Sequence, residues 1–511
     1  MIRSFLTVST GTLASRLLGF VRDSVIAALL GAGPVADAFL AAFQLVNVVR
    51  RLLAEGGLNA ALVPVWLKIR ERDGADAATA FAGRVLGTVS AAVIAAALVI
   101  GVVMPFVIAL IAPGFIGRDT LQFAVDDARL MLPYLAFAGP VTVMMALLNA
   151  QGRFALTAFS PLLFNIALIS VMAVLLVRQH DPVQAALVMA ATIGIAGLLQ
   201  LSMLALRGAT LASPLRVSFD GEMRSFLGRA VPGMVASSAP QWLMVAGAVI
   251  ASGAPAAVSW LYFANRLLEL PLGIVGVAMG TVLIPEMTRA VRSGEHGAIA
   301  HAESRALELA AGLALPATLG LMVLSGPIVR LLFEHGAFTA EDTAATAQAL
   351  VWLALALPAH VLVKALSPAF FAREDTLTPL LATLQAVMVA IAAGFLFGQL
   401  HGASGVAAGI ALGAWSNALS LIRRGATTFG FSIDADARRR LPRILAAALG
   451  MGALLWLAAR LLPAGVHGLV QAAALLLLIA AGILAYGLLL QLFGVTGWRQ
   501  AVSAIKRGHP A

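Results

Sequence analysis

Leu13-Ala14-Ser15-Arg16-Leu17-Leu18-Gly19-Phe20-Val21-Arg22-Asp23-Ser24-Val25-Ile26-Ala27-Ala28-Leu29-Leu30 decides how this chain is read. The run is apolar enough for a membrane helix, yet it holds two arginines and an aspartate. The next apolar run repeats the anomaly with Asp37, Asn47, Arg50, Arg51 and Glu55. A charged side chain at the centre of a bilayer costs about 2.5–3.5 kcal/mol on insertion scales. Arg16, Arg22 and Arg50 facing lipid would together cost about 7–10 kcal/mol. Such a sequence makes physical sense when those side chains line a wet cavity and bind an anion.

The rest of the chain supplies the membrane context. Of 511 residues, 61% are hydrophobic and 11% charged, against about 25% charged in a soluble domain. Mean hydropathy is +0.96. Fourteen apolar segments are expected, at about 8–30, 36–66, 80–112, 128–150, 155–177, 183–206, 228–252, 256–285, 306–333, 343–370, 377–399, 403–422, 442–462 and 468–494. They predict an all-α polytopic membrane protein. The short alternating segments of a barrel are missing. Cysteine is absent, which excludes disulfides, thiolate metal sites and a cysteine nucleophile. Arg16 and Arg22 interrupt the first run, so it does not read as a cleaved signal peptide. The sequence has no P-loop and no His, Asp or Glu pair at metal-ligand spacing. No cofactor, no metal and no enzymatic activity are expected.

The net charge of +10 is a matter of topology rather than of nucleic acid. Loops after even-numbered segments hold most of the basic residues, from Lys68, Arg70, Arg72 and Arg84 to Arg438, Arg439, Arg440 and Arg443. The opposite loops hold only Arg118, Arg129, Arg178 and Arg460. The positive-inside rule puts the rich side, with both termini, in the cytoplasm. Arg16, Arg22, Arg50, Arg51, Arg266, Arg330 and Lys364 remain, and topology does not explain them.

A weak internal repeat runs along the chain. Leu62-Val63-Pro64, followed by Lys68 and Arg70, matches Leu283-Ile284-Pro285, followed by Arg289 and Arg292, at an offset of 221. Gly152-Arg153-Phe154 leading to Ser160-Pro161-Leu162-Leu163 matches Ala372-Arg373-Glu374 leading to Thr378-Pro379-Leu380-Leu381. The partners lie six segments apart, which implies parallel repeats. The long loops after segments 6 and 12 divide the chain into 1–215, 216–430 and 431–511: two six-helix lobes and a terminal helix pair.

Arg16 and Asp23 are seven residues apart and share a helical face. Asn47, Arg50 and Arg51 fall within one turn, and Arg51 with Glu55 forms an i,i+4 pair. Asn265, Arg266 and Glu269 are similarly spaced. Arg16, Arg22, Arg50 and Arg266 around one vestibule would make it strongly cationic. Arginine suits phosphate or pyrophosphate because its planar fork donates two parallel hydrogen bonds and never loses its charge. A multidrug antiporter would favour acidic cavity residues, and a flippase for another polyprenyl-linked glycan fits the charge equally well. A lipid-modifying enzyme lacks a nucleophile, and a scaffold leaves the deep arginines without purpose.

Ser15-Arg16-Leu17-Leu18-Gly19-Phe20-Val21-Arg22-Asp23 resembles the start of the MurJ (MviN) family, the bacterial lipid II flippases. So do Ala36-Asp37-Ala38-Phe39, Asn47-Val48-Val49-Arg50-Arg51, Phe263-Ala264-Asn265-Arg266-Leu267 and Gly276-Val277-Ala278-Met279-Gly280-Thr281. The resemblance covers essentially the whole chain. It implies the multidrug/oligosaccharidyl-lipid/polysaccharide exporter fold: two six-helix lobes in a V, plus helices 13 and 14 forming a groove for a lipid tail. It implies transport of undecaprenyl pyrophosphate bearing a disaccharide-pentapeptide across the bacterial inner membrane, with membrane lipids as surroundings. It also implies a binding set of Arg16, Arg22, Arg50 and Arg266 with Asp23, Asp37, Asn47 and Asn265. The family often has Asp-Arg where this chain has Asn265-Arg266, which removes a carboxylate there.

Overall fold

In lipid every backbone N–H and C=O must be bonded within its own segment, so apolar runs become helices. The computed structural model describes residues 2–54, 57–178, 181–208, 212–237, 239–278, 296–371, 373, 375, 377–430, 434–461 and 468–495. Glu55, Met279-Gly280-Thr281, Leu283-Ile284-Pro285, Arg289, Arg292, Ala372 and Glu374 lie outside the described residues. The helices are α1 (Ile2–Leu30), α2 (Pro34–Ala54), α3 (Gly57–Asp73), α4 (Ala75–Val102), α5 (Met104–Ile111) and α6 (Asp119–Ala150). They continue with α7 (Phe154–Arg178), α8 (Pro182–Gly208), α9 (Gly221–Ser237), α10 (Ala239–Ala251), α11 (Ala257–Ala278) and α12 (His296–Val323). The last are α13 (Ser325–Phe333), α14 (Ala340–Phe371), α15 (Leu377–Phe429), α16 (Ala435–Arg460) and α17 (Gly468–Leu492). No strand occurs among the described residues. Nine of the helices are long and apolar enough to cross a membrane, counting described residues alone.

Several expected segments are subdivided. The run 36–66 is shared between α2 and α3, and 228–252 between α9 and α10. The run 80–112 breaks at Val103, and 306–333 breaks at Leu324. Each break comes just before a proline, Pro105 or Pro327. Proline lacks the N–H that a helix interior needs and clashes with the preceding turn, whereas a first turn tolerates it.

The expected repeat is written into the helix bounds. Shifting α4 (Ala75–Val102) by 221 gives His296–Val323, the bounds of α12. The same shift takes α6 (Asp119–Ala150) to Ala340–Phe371, the bounds of α14. It takes the start of α5, Met104, to Ser325, the start of α13.

The long element α15 contains two helices joined across a kink. At Gly402 the backbone adopts φ 58°, ψ −136°, a region that favours glycine, and the chain folds back on itself. Thr383 Oγ1 accepts from Asn417 Nδ2 at 3.3 Å, and Gln385 Nε2 donates to Ser416 Oγ at 3.3 Å. A Cβ on Gly409 would overlap the backbone of Gly394 across this hairpin.

The chain forms two compact units, residues 1–259 with 335–339, and residues 260–334 with 340–511. The first has a core of Leu62, Trp66, Phe81, Val85, Leu147 and Phe226, among others. In it Ala337 N donates to Ala28 O at 2.8 Å. In the second, Leu324 packs with Met451, Leu455, Leu475 and Leu478, so α16 and α17 belong to that core. Asp434 caps α16, its side chain accepting from Ala437 N at 2.7 Å. That bond holds its carboxyl below the usual carboxylate range.

Gly409→Ala is expected to destabilise the second unit by about 1–3 kcal/mol, the usual cost of overpacking. Gly487→Ala, where no atom lies within 4 Å of the added Cβ, is expected to be neutral or to stabilise by up to ~1 kcal/mol. Thermal unfolding of the detergent-purified variants measures both.

Candidate functional site

The first unit holds a guanidinium in a closed bracket. Arg22 on α1 is 8% exposed and Asp23 is fully buried. Arg22 Nε and Nη2 donate to Asp23 Oδ1 at 2.8 and 2.6 Å. Its Nη1 donates to Asn165 Oδ1 on α7 at 3.1 Å. The guanidinium also lies 5.0 Å from the ring centre of Phe43 and 5.8 Å from that of Phe164. Both rings lie within cation–π range. Asn165 Nδ2 then donates to Ser15 O at 3.1 Å, on the residue before Arg16. One amide thus ties two levels of α1 to α7.

Arg16 and Arg50 are held differently. Both are half-buried. Arg50 Nη2 reaches Asn47 Oδ1 at 3.4 Å, a weak bond between neutral and charged partners. Neither arginine makes an ion pair among the described residues. Tyr134 on α6 lies within electrostatic reach of both Arg22 and Arg50. Its hydroxyl lies 3.4 Å from Gln200 Oε1 on α8, and Gln200 Nε2 donates to Ser160 O at 3.1 Å.

Asp37 sits apart from this group, in the first turn of α2 and 1% exposed. Its Oδ1 accepts from Ser259 N at 2.8 Å and from Ser259 Oγ at 2.5 Å, in the first turn of α11. Beside it is a cavity of about 100 Å³ lined in part by Pro34, Phe115, Arg118, Thr120 and Ser252. Arg118 donates to Gly253 O at 3.3 Å, and Gly114 N donates to Ser252 Oγ at 2.9 Å.

Arg266 belongs to the second unit, where its Nη1 donates to Glu269 Oε2 at 2.7 Å. Asn265 is half-buried. The first unit thus brings Arg22 and Asp23 together and joins Asn47 to Arg50. Asn165, Phe43, Phe164 and Tyr134 are missing from the sequence-based set. The one signal for Asn165 was an amide inside an otherwise apolar run; its partner lies 143 residues away. Among the described residues no group of three His, Asp or Glu can hold a metal ion.

A chain of long apolar helices, with one buried arginine paired to a carboxylate and two half-buried arginines without one among the described residues, is built as a membrane transporter. A solved structure titled as an inward-facing multidrug resistance MATE transporter of the MOP superfamily matches it with TM-score 0.67 at 15% identity, over 84% of this chain and 95% of that one. A structure of the lipid II flippase MurJ in an inward-closed conformation matches with TM-score 0.79 at 22% identity, over 96% and 98%. These likenesses carry the fold. The sequence pattern described as lipid II flippase MurJ matches residues 26–477. A probable lipid II flippase MurJ of Rhizobium tropici is 35% identical over 523 aligned residues, covering 100% of this chain and 98% of the relative. The chain belongs to the MurJ family.

Asp23→Asn, which leaves a buried guanidinium without its carboxylate, is expected to cost about 3–5 kcal/mol of stability. Adding Arg22→Met to it is expected to recover most of that loss, since a buried pair replaced as a whole is often near neutral. A double-mutant cycle of melting temperatures reads the coupling.

Proposed function

We propose that this chain carries lipid II, undecaprenyl pyrophosphate bearing a disaccharide-pentapeptide, from the cytoplasmic to the periplasmic leaflet of a bacterial inner membrane. It does so as a fourteen-span protein with both termini in the cytoplasm. The lobes, 1–215 and 216–430, rock between inward-open and outward-open states, and residues 431–511 supply a groove for the polyprenyl tail. The observation that carries the reading is the charge state of the arginines. Arg22 is neutralised by Asp23, while Arg16 and Arg50 have no carboxylate partner among the described residues. Half-buried and unneutralised, these two are available to a pyrophosphate. Arg22 and Asp23 set the position of α1, and Asn47 steadies Arg50. Arg266 and Asn265 contribute from the second half, and Asp37 holds the start of α11. The membrane potential acts on the two free cations, at about 2.3 kcal/mol per charge moved across 100 mV.

The test is complementation of a bacterium depleted of its lipid II flippase, with expression matched, together with headgroup binding to the purified protein. A charge-assisted hydrogen bond is worth about 1.5–3 kcal/mol. Arg16→Ala and Arg50→Ala are therefore each expected to weaken headgroup binding by about 10–100-fold and to fail in complementation. Full complementation by the Arg16→Ala/Arg50→Ala double variant would falsify the reading.

A further inference from the structure

The connection between α8 and α9 is not a free loop. Residues 213–219 form neither helix nor strand and run along the first part of α4. Two glycines one helical turn apart make room for it. A Cβ on Gly83 would overlap the carbonyl of Pro214, and a Cβ on Gly87 would come within 2.6 Å of the carbonyl oxygen of Arg216. Thr88 then grips the backbone: its hydroxyl donates to Ser218 O at 3.2 Å and accepts from Ser218 N at 3.0 Å. Arg84, on the same stretch of α4, pairs with Asp220 at 3.1 Å and with Glu222 at 2.7 Å. Asp220 also accepts from Met223 N at 2.8 Å, which starts α9 and holds the carboxyl below its usual range.

The segment meets α4 through its backbone, at Pro214, Arg216 and Ser218. Its apolar side chains Leu215, Val217 and Phe219 are 64%, 57% and 61% exposed. Three large apolar residues of a connecting segment thus keep most of their surface uncovered among the described residues. The contact on α4, Gly83 to Thr88, begins three residues inside the apolar run 80–112. At 1.5 Å per residue it lies about 5–12 Å within that run, the depth at which amphipathic segments settle between headgroups and acyl chains. Beyond the strap the same helix exposes Ile94, Leu98 and Val99, so the apolar surface is continuous with the lipid-facing side of a membrane helix. Arg216 and Arg224 are exposed beside it, with charge suited to lipid phosphates.

We propose that residues 213–219 form an interfacial strap, clamped on Gly83, Gly87 and Thr88, that inserts Leu215, Val217 and Phe219 into the bilayer leaflet at which α4 begins. On the topology proposed above this is the cytoplasmic leaflet. The occupant of the apolar face is lipid. The strap ties the end of α8 and the start of α9 to α4 and to the membrane surface together. Depth is read without reference to transport, so this proposal and the flippase reading fail separately.

The chain has no cysteine, so single-cysteine variants can be spin-labelled without background. Leu215→Cys, Val217→Cys and Phe219→Cys are reconstituted in phosphatidylethanolamine/phosphatidylglycerol vesicles. Collision rates with oxygen and with a water-soluble nickel chelate are compared. Leu98→Cys serves as the lipid reference and Glu71→Cys as the aqueous one. Labels at 215, 217 and 219 are expected to favour oxygen over nickel at least fivefold more than the label at 71. Nickel accessibility equal to that at 71 for all three overturns the proposal. In a Thr88→Val background the labels at 217 and 219 are expected to gain mobility and nickel accessibility at least twofold; unchanged spectra overturn the clamp.

Discussion

An ion inside a membrane-spanning bundle has to find its partner in the protein, and the bracket around Arg22 shows how this chain meets that demand. Three helices contribute. Asp23 comes from α1, Phe43 from α2, and Asn165 and Phe164 from α7. Desolvating a guanidinium costs several kcal/mol, which only close pairing and full hydrogen bonding return. The bracket therefore fixes how α1 sits on α7. Asn165 extends that control to Ser15, roughly 10 Å further along the helix at 1.5 Å per residue. Arg16 follows directly in the chain, so its direction is set by a bond made one residue earlier.

The same demand sorts the arginines into two kinds. Arg22 and Arg266 each have a carboxylate at hydrogen-bond distance. Arg16 and Arg50 have none among the described residues, and both are half-buried rather than sealed. A sealed, unpaired cation would be far more costly than one that water reaches. The polyprenyl diphosphate of the proposed substrate carries one negative charge on each phosphorus. Two guanidiniums left uncancelled match that count, and a third, fully neutralised one adds structure without raising the field. Overbinding is thereby limited, as a carrier needs, because its ligand must also leave.

Much of this was legible in the chain before any coordinates. The apolar runs marked the helices, and the arginines within them marked the unusual part of the fold. The offset of 221 between Leu62-Val63-Pro64 and Leu283-Ile284-Pro285 reappears in helix bounds elsewhere, as α4 and α12 show. The helix breaks at Val103 and Leu324 were hidden because the apolar signal runs through them, although Pro105 and Pro327 were present to be read. Asn165 was out of reach for a different reason. Its meaning depends on Arg22 and Ser15, 143 and 150 residues away, and no local pattern encodes such a pairing. The strap was equally hidden: Leu215, Val217 and Phe219 read as a short apolar alternation, and nothing local to them encodes the backbone contact with Gly83 and Gly87 that leaves them exposed.

The repeat also separates what duplication preserved from what it did not. Helix bounds recur across the two halves, and so do basic residues such as Lys68 with Arg289 and Arg84 with Arg305, yet the charges of the candidate site do not. At the offset of 221, Arg16, Arg22, Asp23 and Arg50 correspond to Ser237, Leu243, Met244 and Pro271, and Arg266 corresponds to Leu45. Backbone geometry is constrained in both halves alike, because each must satisfy its own hydrogen bonds in lipid. Buried charge is under no such symmetric constraint and costs energy wherever it is placed. In the first half the bracket of Asp23 and Asn165 offsets that cost for Arg22, and in the second Glu269 does so for Arg266. The second half buries charges of its own, Glu303 and Asp342, and its α15 hairpin brings Gly394 and Gly409 backbone to backbone. A scaffold with repeated helices and an unrepeated set of site charges is what a carrier for one asymmetric, anionic amphiphile requires.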